Sequence, residues 1–340
     1  MGRQLFTQGY SRLLFLKSMN KQRFRRFDLY TTAYRTFYKL LVPPALKHMA
    51  ITRPFLKLMA DADAWHVYWK GHCIGRTGSW ADLSAQAPVR LFSVGSGPSI
   101  NQQDLGLIPG EQCVLVNGAI SLVLDSTVSR PFAVMIEDSR FIYERADMLM
   151  QLPQGTRLCL VASAMQALGA TCGAEGLAHF ELFLIDGFET PYGKARREVN
   201  EAPSESYRMS AKAKLSLDLA QGHFGCGTVM YCGIQLAFHL RVQQLYLVGF
   251  DLTDFDQPRF YENQHNAAWT GLQNAYQERI LPALKLAVDT AQEFNMSIEN
   301  CSHTSIIPRE LIPFNARLMP PSWDGHYAGE EGSAEQSDNC

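Results

Sequence analysis

The sequence lacks the patterns of a membrane-spanning, secreted or disulfide-bonded protein. No apolar run approaches the roughly 20 residues that a helix needs to cross a bilayer, and the run Leu13–Leu16 is too short for the core of a signal peptide. The eight cysteines are far apart and include no C-x-x-C pair. This spacing indicates reduced thiols in a cytosolic protein and argues against a disulfide framework or a structural zinc site.

Three motifs that would identify an enzyme class are also missing. No Lys-Ser/Thr pair follows a glycine-rich loop at the P-loop spacing, and no third glycine completes a dinucleotide-binding G-x-G-x-x-G. The hydrolase elbow G-x-S-x-G is absent, because the nearest segment, Gly97-Pro-Ser-Ile-Asn101, ends in asparagine.

Acidic residues are nearly absent from residues 1–57, which hold twelve Lys and Arg against one acid, Asp28. Aromatic and aliphatic residues alternate with these cations, as in amphipathic helices on an anionic membrane surface. We therefore expect a cytoplasmic protein in peripheral contact, through residues 1–57, with the inner face of the cytoplasmic membrane. Packing of this segment on the rest of the chain, or oligomerisation through it, is the alternative. No nucleic-acid partner is expected, because the remainder is acidic and has no reading motif.

Six short apolar runs alternate with helical stretches after residue 88. They are Leu91–Val94, Cys113–Val116, Phe132–Ile136, Arg157–Val161, Leu182–Ile185 and Leu245–Val248. The alternation predicts an α/β fold, a Rossmann-like parallel sheet with helices on both faces, forming a single nucleotide-binding domain.

The predicted organisation has three parts. Residues 1–87 form a basic, aromatic and mainly helical arm with a small hairpin, residues 88–320 form the catalytic domain, and residues 321–340 form a disordered tail. The long polar stretch 186–222 predicts an active-site lid, with a variable surface insertion as the alternative.

Polar residues follow several of the predicted strands. The first run ends in Val94-Gly-Ser-Gly-Pro-Ser99, where two glycines let backbone N–H groups approach a phosphate, although a plain turn fits this segment too. Open α/β sheets bind ligands at the carboxyl ends of their strands. We therefore predict a site formed by Gly95 to Ser99, Asn117, Glu137, Asp138 and Asp251.

Taken in order, several segments resemble the bacterial sialyltransferases of glycosyltransferase family 42 and their relatives, including transferases of 3-deoxy-D-manno-octulosonic acid (Kdo) in lipopolysaccharide core synthesis. The segments are Ser93–Ile100, Leu115–Asn117, Ala133–Ser139, Cys226–Tyr231 and Leu245–Asp251. The resemblance covers about residues 88–315 and depends on the ordered set. It implies a metal-independent, inverting transferase that uses a CMP-activated 2-keto sugar as its donor substrate and needs no cofactor.

The resemblance also implies roles for individual residues. The donor would contact Gly95, Ser96, Gly97, Pro98, Ser99, Asn117, Gly227 and Thr228. A helix opened by Thr228 offers N–H groups and a positive dipole end to a phosphate or carboxylate. Tyr261 would bind the leaving phosphate, supported by Arg259. His265 would act as the general base, with His303 as the rival; for both, a histidine with a purely structural role is the alternative.

Two departures from the family pattern involve carboxylates. Glu137 and Asp138 replace an asparagine and a proline expected there. Asp254-Phe-Asp256 forms the D-x-D with which other nucleotide-sugar transferases hold Mg²⁺ or Mn²⁺. No metal is expected, with Asp254 and Asp256 as the alternative ligands; a solvated acidic loop explains the same pattern.

The leading hypothesis is a glycosyltransferase that moves Kdo or a sialic-acid-like sugar from a CMP donor to a glycolipid or oligosaccharide acceptor such as lipopolysaccharide core. Two other classes stay open. One is a pterin diphosphokinase-like transferase, which would require ATP and Mg²⁺. The other is a non-catalytic membrane scaffold, which would fold normally without binding CMP.

Overall fold

The computed structural model describes residues 29–253, 260, 272–323 and 325 of the 340 in the chain. The strands are β1 (Leu56–Asp61), β2 (Ala64–Trp69), β3 (His72–Arg76), β4 (Arg90–Val94), β5 (Cys113–Val116), β6 (Ala133–Ile136), β7 (Arg157–Leu160), β8 (Glu181–Leu184), β9 (Tyr207–Met209), β10 (Lys214–Ser216), β11 (Gln244–Val248) and β12 (Ser297–Asn300). The α-helices are α1 (29–41), α2 (Trp80–Ser84), α3 (Ser121–Leu124), α4 (Ser139–Leu149), α5 (Ala162–Ala178), α6 (Met230–His239), α7 (Leu272–Ala275) and α8 (Leu281–Glu293).

The central sheet has seven parallel strands in the order β12-β11-β4-β5-β6-β7-β8. All six strands predicted from apolar runs are present in it, each within one residue of its predicted bounds. Every residue of β5 and β6 is buried, as expected for a parallel sheet covered on both faces. The seventh strand, β12, was not predicted, because three of the four residues in its sequence Ser-Ile-Glu-Asn are polar.

Helices cover both faces of this sheet, which confirms the predicted Rossmann-like α/β class. The side chains of β11 alternate between two apolar clusters, as strand geometry requires. Leu245 and Leu247 face the cluster that contains α6 and α8. Tyr246 and Val248 face the cluster that contains residues of α4 and α5.

The predicted small hairpin is part of a three-stranded antiparallel sheet, β1-β2-β3, which packs on α5. The backbone N–H of Leu56 donates to Oε1 of Gln166 on that helix, at 3.0 Å. Leu56 and Trp69 belong to the same buried cluster as the central sheet. The strands that precede residue 88 therefore share a core with the predicted catalytic domain.

Helix α1 combines one packed edge with an exposed apolar surface. Tyr30 stacks on Phe55, with 6.0 Å between the ring centroids. Phe37, Leu40 and Leu41 are between 61% and 78% exposed. In the part of the chain that the structure describes, no helix has the length and apolarity needed to cross a membrane.

The segment 186–222 contains the short hairpin β9-β10 and several single turns, and it packs around an apolar cluster of its own. Its two ends are tied together by Arg197, which donates to the carbonyl oxygens of Phe188 at 2.7 Å and Gln221 at 2.6 Å. Its function as a lid stays a prediction.

The contact between α5 and β2 can be tested by adding one methyl group. A Cβ at Gly169 would lie 2.7 Å from the ring of the buried Trp69. Gly169→Ala should therefore reduce the free energy of unfolding by about 1–3 kcal/mol through overpacking, measured by urea denaturation. Gly75→Ala is the control, because nothing lies within 4 Å of its added Cβ. A Gly169→Ala protein as stable as the wild type would contradict this packing.

Candidate active site

The carboxyl ends of β4 and β11 lie side by side at the point where the strand order reverses. From β4 the sheet continues through β5 to β8 on one side, whereas β11 and β12 lie on the other. In open α/β sheets, a reversal of this kind opens a crevice in which ligands bind. The loop Gly95–Ser99 leaves β4 at this point, and Gly249–Asp251 leaves β11.

These two loops are in close backbone contact. The N–H of Gly95 donates to the carbonyl of Val248 at 2.8 Å, and the N–H of Gly97 donates to the carbonyl of Gly249 at 3.0 Å. A Cβ at Gly97 would lie 2.5 Å from Oδ2 of Asp251. The contact between the loops therefore explains why both positions are glycine.

The side chain of Asp251 joins the loops. It accepts hydrogen bonds from the backbone N–H of Ser99 at 2.8 Å and from the Ser99 hydroxyl, and both residues are 2% exposed. The N–H groups of Gly95, Gly97 and Ser99 thus have protein partners. Contacts of the loop Gly95–Ser99 with a sugar donor stay predictions.

Asn117 follows β5 and has an unused hydrogen-bond acceptor. Its φ is 47°, a left-handed conformation that asparagine tolerates better than most residues. Its Oδ1 is buried, and no hydrogen-bond partner is present for it in the described part of the chain. Buried amide oxygens are nearly always hydrogen-bonded. The Oδ1 of Asn117 is therefore available to accept a hydrogen bond from a ligand.

Three more buried polar atoms that have no hydrogen-bond partner among the described residues follow β11 and β12. They are Oγ1 of Thr253, Nδ1 of His303 and Oγ1 of Thr304. Burial lowers the pKa of His303, although the nearby charge of Asp251 opposes the shift. The residue is 8% exposed, and a lowered pKa favours the neutral form, which is able to accept a proton.

A second cluster of polar side chains lies at the end of β6. His223 Nε2 is 3.4 Å from Oε1 of Glu137, and the Cys232 thiol donates to Oε2 of the same carboxylate at 3.5 Å. His223 Nδ1 is 2.7 Å from the carbonyl oxygen of Asp186. Since a carbonyl only accepts, Nδ1 carries a proton.

Glu137 and His223 favour each other's charged form. Burial alone would raise the pKa of Glu137, but the hydrogen bond and charge of His223 outweigh it, and the pKa is lowered. Burial alone would lower the pKa of His223, but Glu137 outweighs it in the same way, and the pKa is raised. In both groups the interaction with the partner thus outweighs the effect of burial on the pKa.

The same cluster contains atoms that could hold a metal ion. One oxygen of Glu137, one ring nitrogen of His223 and the sulfur of Cys232 lie within 4.8 Å of one another. This donor set suits Zn²⁺, and zinc-bound histidines usually donate their other ring N–H to an oxygen, as Nδ1 does to Asp186. Burial raises the pKa of Cys232 well above its ordinary value. Without a metal, the three groups are joined by the hydrogen bonds already described.

Sequence reasoning identified Glu137 but missed His223 and Cys232. His223 is an isolated histidine in a polar segment, and Cys232 lies in an apolar helix, so neither has a local signal. Their partner Glu137 is 86 and 95 residues away along the chain. Only the tertiary fold brings the three together.

The remaining predicted residues have mixed outcomes. Asp138 caps α4 through the N–H of Arg140 and pairs with the Arg140 guanidinium at 2.7 Å. Gly227 has a φ of 100°, and Thr228 Oγ1 accepts from the N–H of Met230 at 3.3 Å, so one donor at the start of α6 already has a partner. Five predicted residues lie outside the described part of the chain: Asp254, Asp256, Arg259, Tyr261 and His265.

The protein has a Rossmann-like α/β fold. Its candidate site is a set of polar groups at the carboxyl ends of the strands, at the switch point of the parallel sheet. Comparison with known proteins shows that the chain is similar to Kdo transferases. A family model described as 3-deoxy-D-manno-octulosonic acid transferase WaaZ matches residues 202–317. The resemblance found in the sequence is thereby confirmed.

Two curated relatives carry the name "Probable 3-deoxy-manno-octulosonic acid transferase". The Escherichia coli (strain K12) protein is 26% identical over 230 residues, which cover 64% of this chain and 80% of the relative. The Salmonella typhimurium (strain LT2) protein is 23% identical over 227 residues, which cover 63% of this chain and 83% of the relative. A solved structure of the sialyltransferase CstII from Campylobacter jejuni, in complex with the substrate analogue CMP-3FNeuAc, aligns with 66% of this chain and 85% of its own, at 12% identity and a TM-score of 0.35.

The coupling between Glu137 and His223 can be measured by a double-mutant cycle. Glu137→Gln and His223→Gln should each lower the free energy of unfolding by about 1–3 kcal/mol, because each removes one charge from a hydrogen-bonded pair whose His223 and Glu137 side chains are 9% and 31% exposed. The double variant should lose less than the sum of the two. The control is His66→Gln, which breaks an ion pair with Asp61 that is 43% exposed on both sides and should cost about 0–1 kcal/mol.

The pH dependence of this pair follows from the directions of the two shifts. The lowered pKa of Glu137 contributes stability that is present above 4.5 and is lost as the pH falls through the folded value. The raised pKa of His223 contributes stability that is fully present below 6.5 and is lost as the pH rises through the folded value. The difference in unfolding free energy between wild type and either variant should thus be largest between pH 4.5 and 6.5. A pH-independent difference, or additive losses, would contradict the pairing.

Proposed function

We propose that the protein is a glycosyltransferase that moves an acidic 2-keto sugar, Kdo or a sialic-acid-like sugar, from a CMP-activated donor to a hydroxyl of a lipid-linked glycan such as lipopolysaccharide core. The observation that carries the proposal is the match of the WaaZ Kdo transferase model to residues 202–317. That segment contributes α6, β11 and β12 to the candidate active site.

The donor would bind at the switch point between β4 and β11. The free acceptor atom of Asn117 supports this position, because it can receive a hydrogen bond from a nucleotide amine or hydroxyl. Gly227 and Thr228 stand just before α6, whose N-terminal dipole favours a phosphate or carboxylate. Tyr261, supported by Arg259, would bind the leaving phosphate.

The transfer step needs a base for the acceptor hydroxyl. His265 would take the proton as the hydroxyl oxygen forms its bond to the anomeric carbon of the donor. The bond from that carbon to the phosphate oxygen breaks, and CMP leaves with the electron pair. Attack from the face opposite the phosphate inverts the anomeric configuration. His303 is the second candidate, and its lowered pKa and burial support a neutral ring.

No cofactor is needed for this step, because the CMP-sugar itself is the activated substrate. The cluster of Glu137, His223 and Cys232 would then be a structural or orienting group rather than an obligatory metal centre. The basic segment 1–57 would hold the protein against the anionic inner face of the cytoplasmic membrane, where a lipid-linked acceptor is found.

Nucleotide binding tests the proposal directly. Calorimetric titration should show that CMP binds more tightly than UMP, GDP or ATP and that EDTA does not weaken the binding. CMP-Kdo, formed in situ, should then support transfer to a lipopolysaccharide-core acceptor. Metal-dependent ATP binding would instead indicate a diphosphokinase-like enzyme, and failure to bind any nucleotide would indicate a scaffold.

The base can be assigned by two histidine variants. His265→Ala should lower kcat about 10²–10⁴-fold, the usual effect of losing a general base, and leave the affinity for CMP unchanged. His72→Ala, on the exposed strand β3, is the control and should behave as wild type. A loss confined to His303→Ala would assign the base to His303, and normal turnover in both variants would reject a histidine base.

A further inference from the structure

A cavity of about 780 Å³ lies beside the carboxyl ends of β7 and β8, away from the switch point. Its floor consists of residues 161–163, where β7 leads into α5, and residues 185–187, which follow β8. Its wall is formed by α1 and by the turn Pro44–Thr52. The volume is typical of a site for a small organic ligand.

The cavity is strongly positive. Arg35, Lys39, Lys47 and Arg196 line it. None of the three cations Lys39, Lys47 and Arg196 forms an ion pair with a carboxylate of the described residues. Among the described residues of the lining, Asp186 is the one acid, so this part of the lining carries a large excess of positive charge.

The acidic residue in the lining, Asp186, already accepts hydrogen bonds from the protein backbone. The carboxyl oxygens of Asp186 accept the backbone N–H groups of Gly187 at 2.9 Å and Tyr192 at 2.8 Å. The carboxylate of Asp186 is therefore hydrogen-bonded to the loop that follows β8. The uncapped N-terminus of the 17-residue helix α5 adds a positive dipole end at the floor of the cavity.

The cationic wall is held in place by contacts across the cavity. The N–H of Arg196 donates to the carbonyl of Ala45 at 3.1 Å, and His48 Nε2 donates to the carbonyl of Pro191 at 3.0 Å. Since His48 Nε2 thus carries a proton, its Nδ1, buried and without a partner among the residues described, is left as a free polar atom in the lining. Hydrogen bonds within the protein therefore hold the cationic wall of the cavity in position.

The same helix that supplies two of the cations also exposes apolar side chains. Arg35 and Lys39 on α1 line the cavity, while Phe37, Leu40 and Leu41 on α1 are exposed to between 61% and 78%. A positive cavity bordered by an apolar helix face matches a molecule with an anionic head and a lipid tail.

We propose that this cavity binds the acidic groups, carboxylates or phosphates, of a lipid-linked glycan acceptor. The inference rests on the proposed glycosyl transfer and gives that reaction its acceptor site. The donor is placed elsewhere, because β5 and β6 separate the cavity from the crevice between β4 and β11. The Glu137–His223 pair lies between the two, since His223 also lines the cavity.

The test replaces three cations together, as Lys39→Gln, Lys47→Gln and Arg196→Gln in the full-length protein. The control is Lys285→Gln, which removes a charge from an exposed position of α8, outside the basic segment. Binding is measured to micelles of a lipid-linked glycan that carries carboxylate and phosphate groups. The triple variant should lose at least tenfold in affinity, and raised salt should weaken wild-type binding more than that of the variant.

Three further measurements separate the possible occupants. Calorimetry should show the affinity for CMP unchanged in the triple variant; a loss there, with glycan binding intact, would overturn the proposal and assign the cavity to the donor. Equal loss of binding to vesicles of anionic phospholipid without glycan would overturn it in favour of a membrane headgroup. In a transfer assay the triple variant should raise KM for the acceptor but not for the donor.

The proposed reaction and the cavity can fail separately. Because glycan binding is measured without turnover, a wild type that binds the glycan but shows neither CMP binding nor transfer would contradict the proposed function and leave the anionic-glycan cavity standing. A wild type that transfers sugar, with a triple variant that binds and uses the acceptor normally, would contradict the cavity and leave the function standing.

Discussion

The buried carboxylate of Asp251 holds together the two loops on which the candidate active site depends. A buried charge is costly unless hydrogen bonds compensate it, and here the backbone N–H and the hydroxyl of Ser99 supply them. The bonds fix the end of β11 against the loop after β4. That contact leaves no room for a Cβ at Gly95 or Gly97, where one would come within 2.7 Å or less of a β11-loop oxygen. The loop after β4 is thus bonded to the end of β11, and Asn117 after β5 has an acceptor atom without a partner among the described residues.

The predictable part of the fold is the part that local sequence determines. Short apolar runs such as Cys113–Val116 are buried on both sides of a parallel sheet, so their composition alone identifies them. β12 has no such run, because three of its four residues are polar and its buried positions alternate with partly exposed ones. Gly95 and Gly97 were predicted to lie at a close approach, and oxygens of the β11 loop lie within 2.7 Å of a Cβ at either position; contact of this loop with a phosphate stays a prediction. A local pattern of glycines therefore indicates that space beside the backbone is restricted, but it does not identify the group that lies there.

The candidate site was predicted in outline but not in its partners. Asn117, Glu137 and Asp251 all follow strands of one parallel sheet, and that rule placed them on one edge. The contacts of Glu137 with His223 and Cys232 join segments almost a hundred residues apart, and they depend on where α6 packs against the sheet. Such pairs have no local signature, since a single histidine or cysteine in a chain is compatible with many roles.

The strongest feature of the composition, the basic segment at residues 1–57, has a more specific meaning in the folded protein. Part of it is α1 and the turn Pro44–Thr52, which pack beside α5 and close one side of a cavity. Cations held around a concave surface act together on one ligand, whereas cations on a convex surface are screened individually by salt. The same segment contains two kinds of surface. Cations of α1 line the cavity, and exposed apolar residues of α1 lie next to them. A lipid-linked, acidic acceptor would satisfy both at once, with its tail in the membrane and its charged sugars beside the sheet.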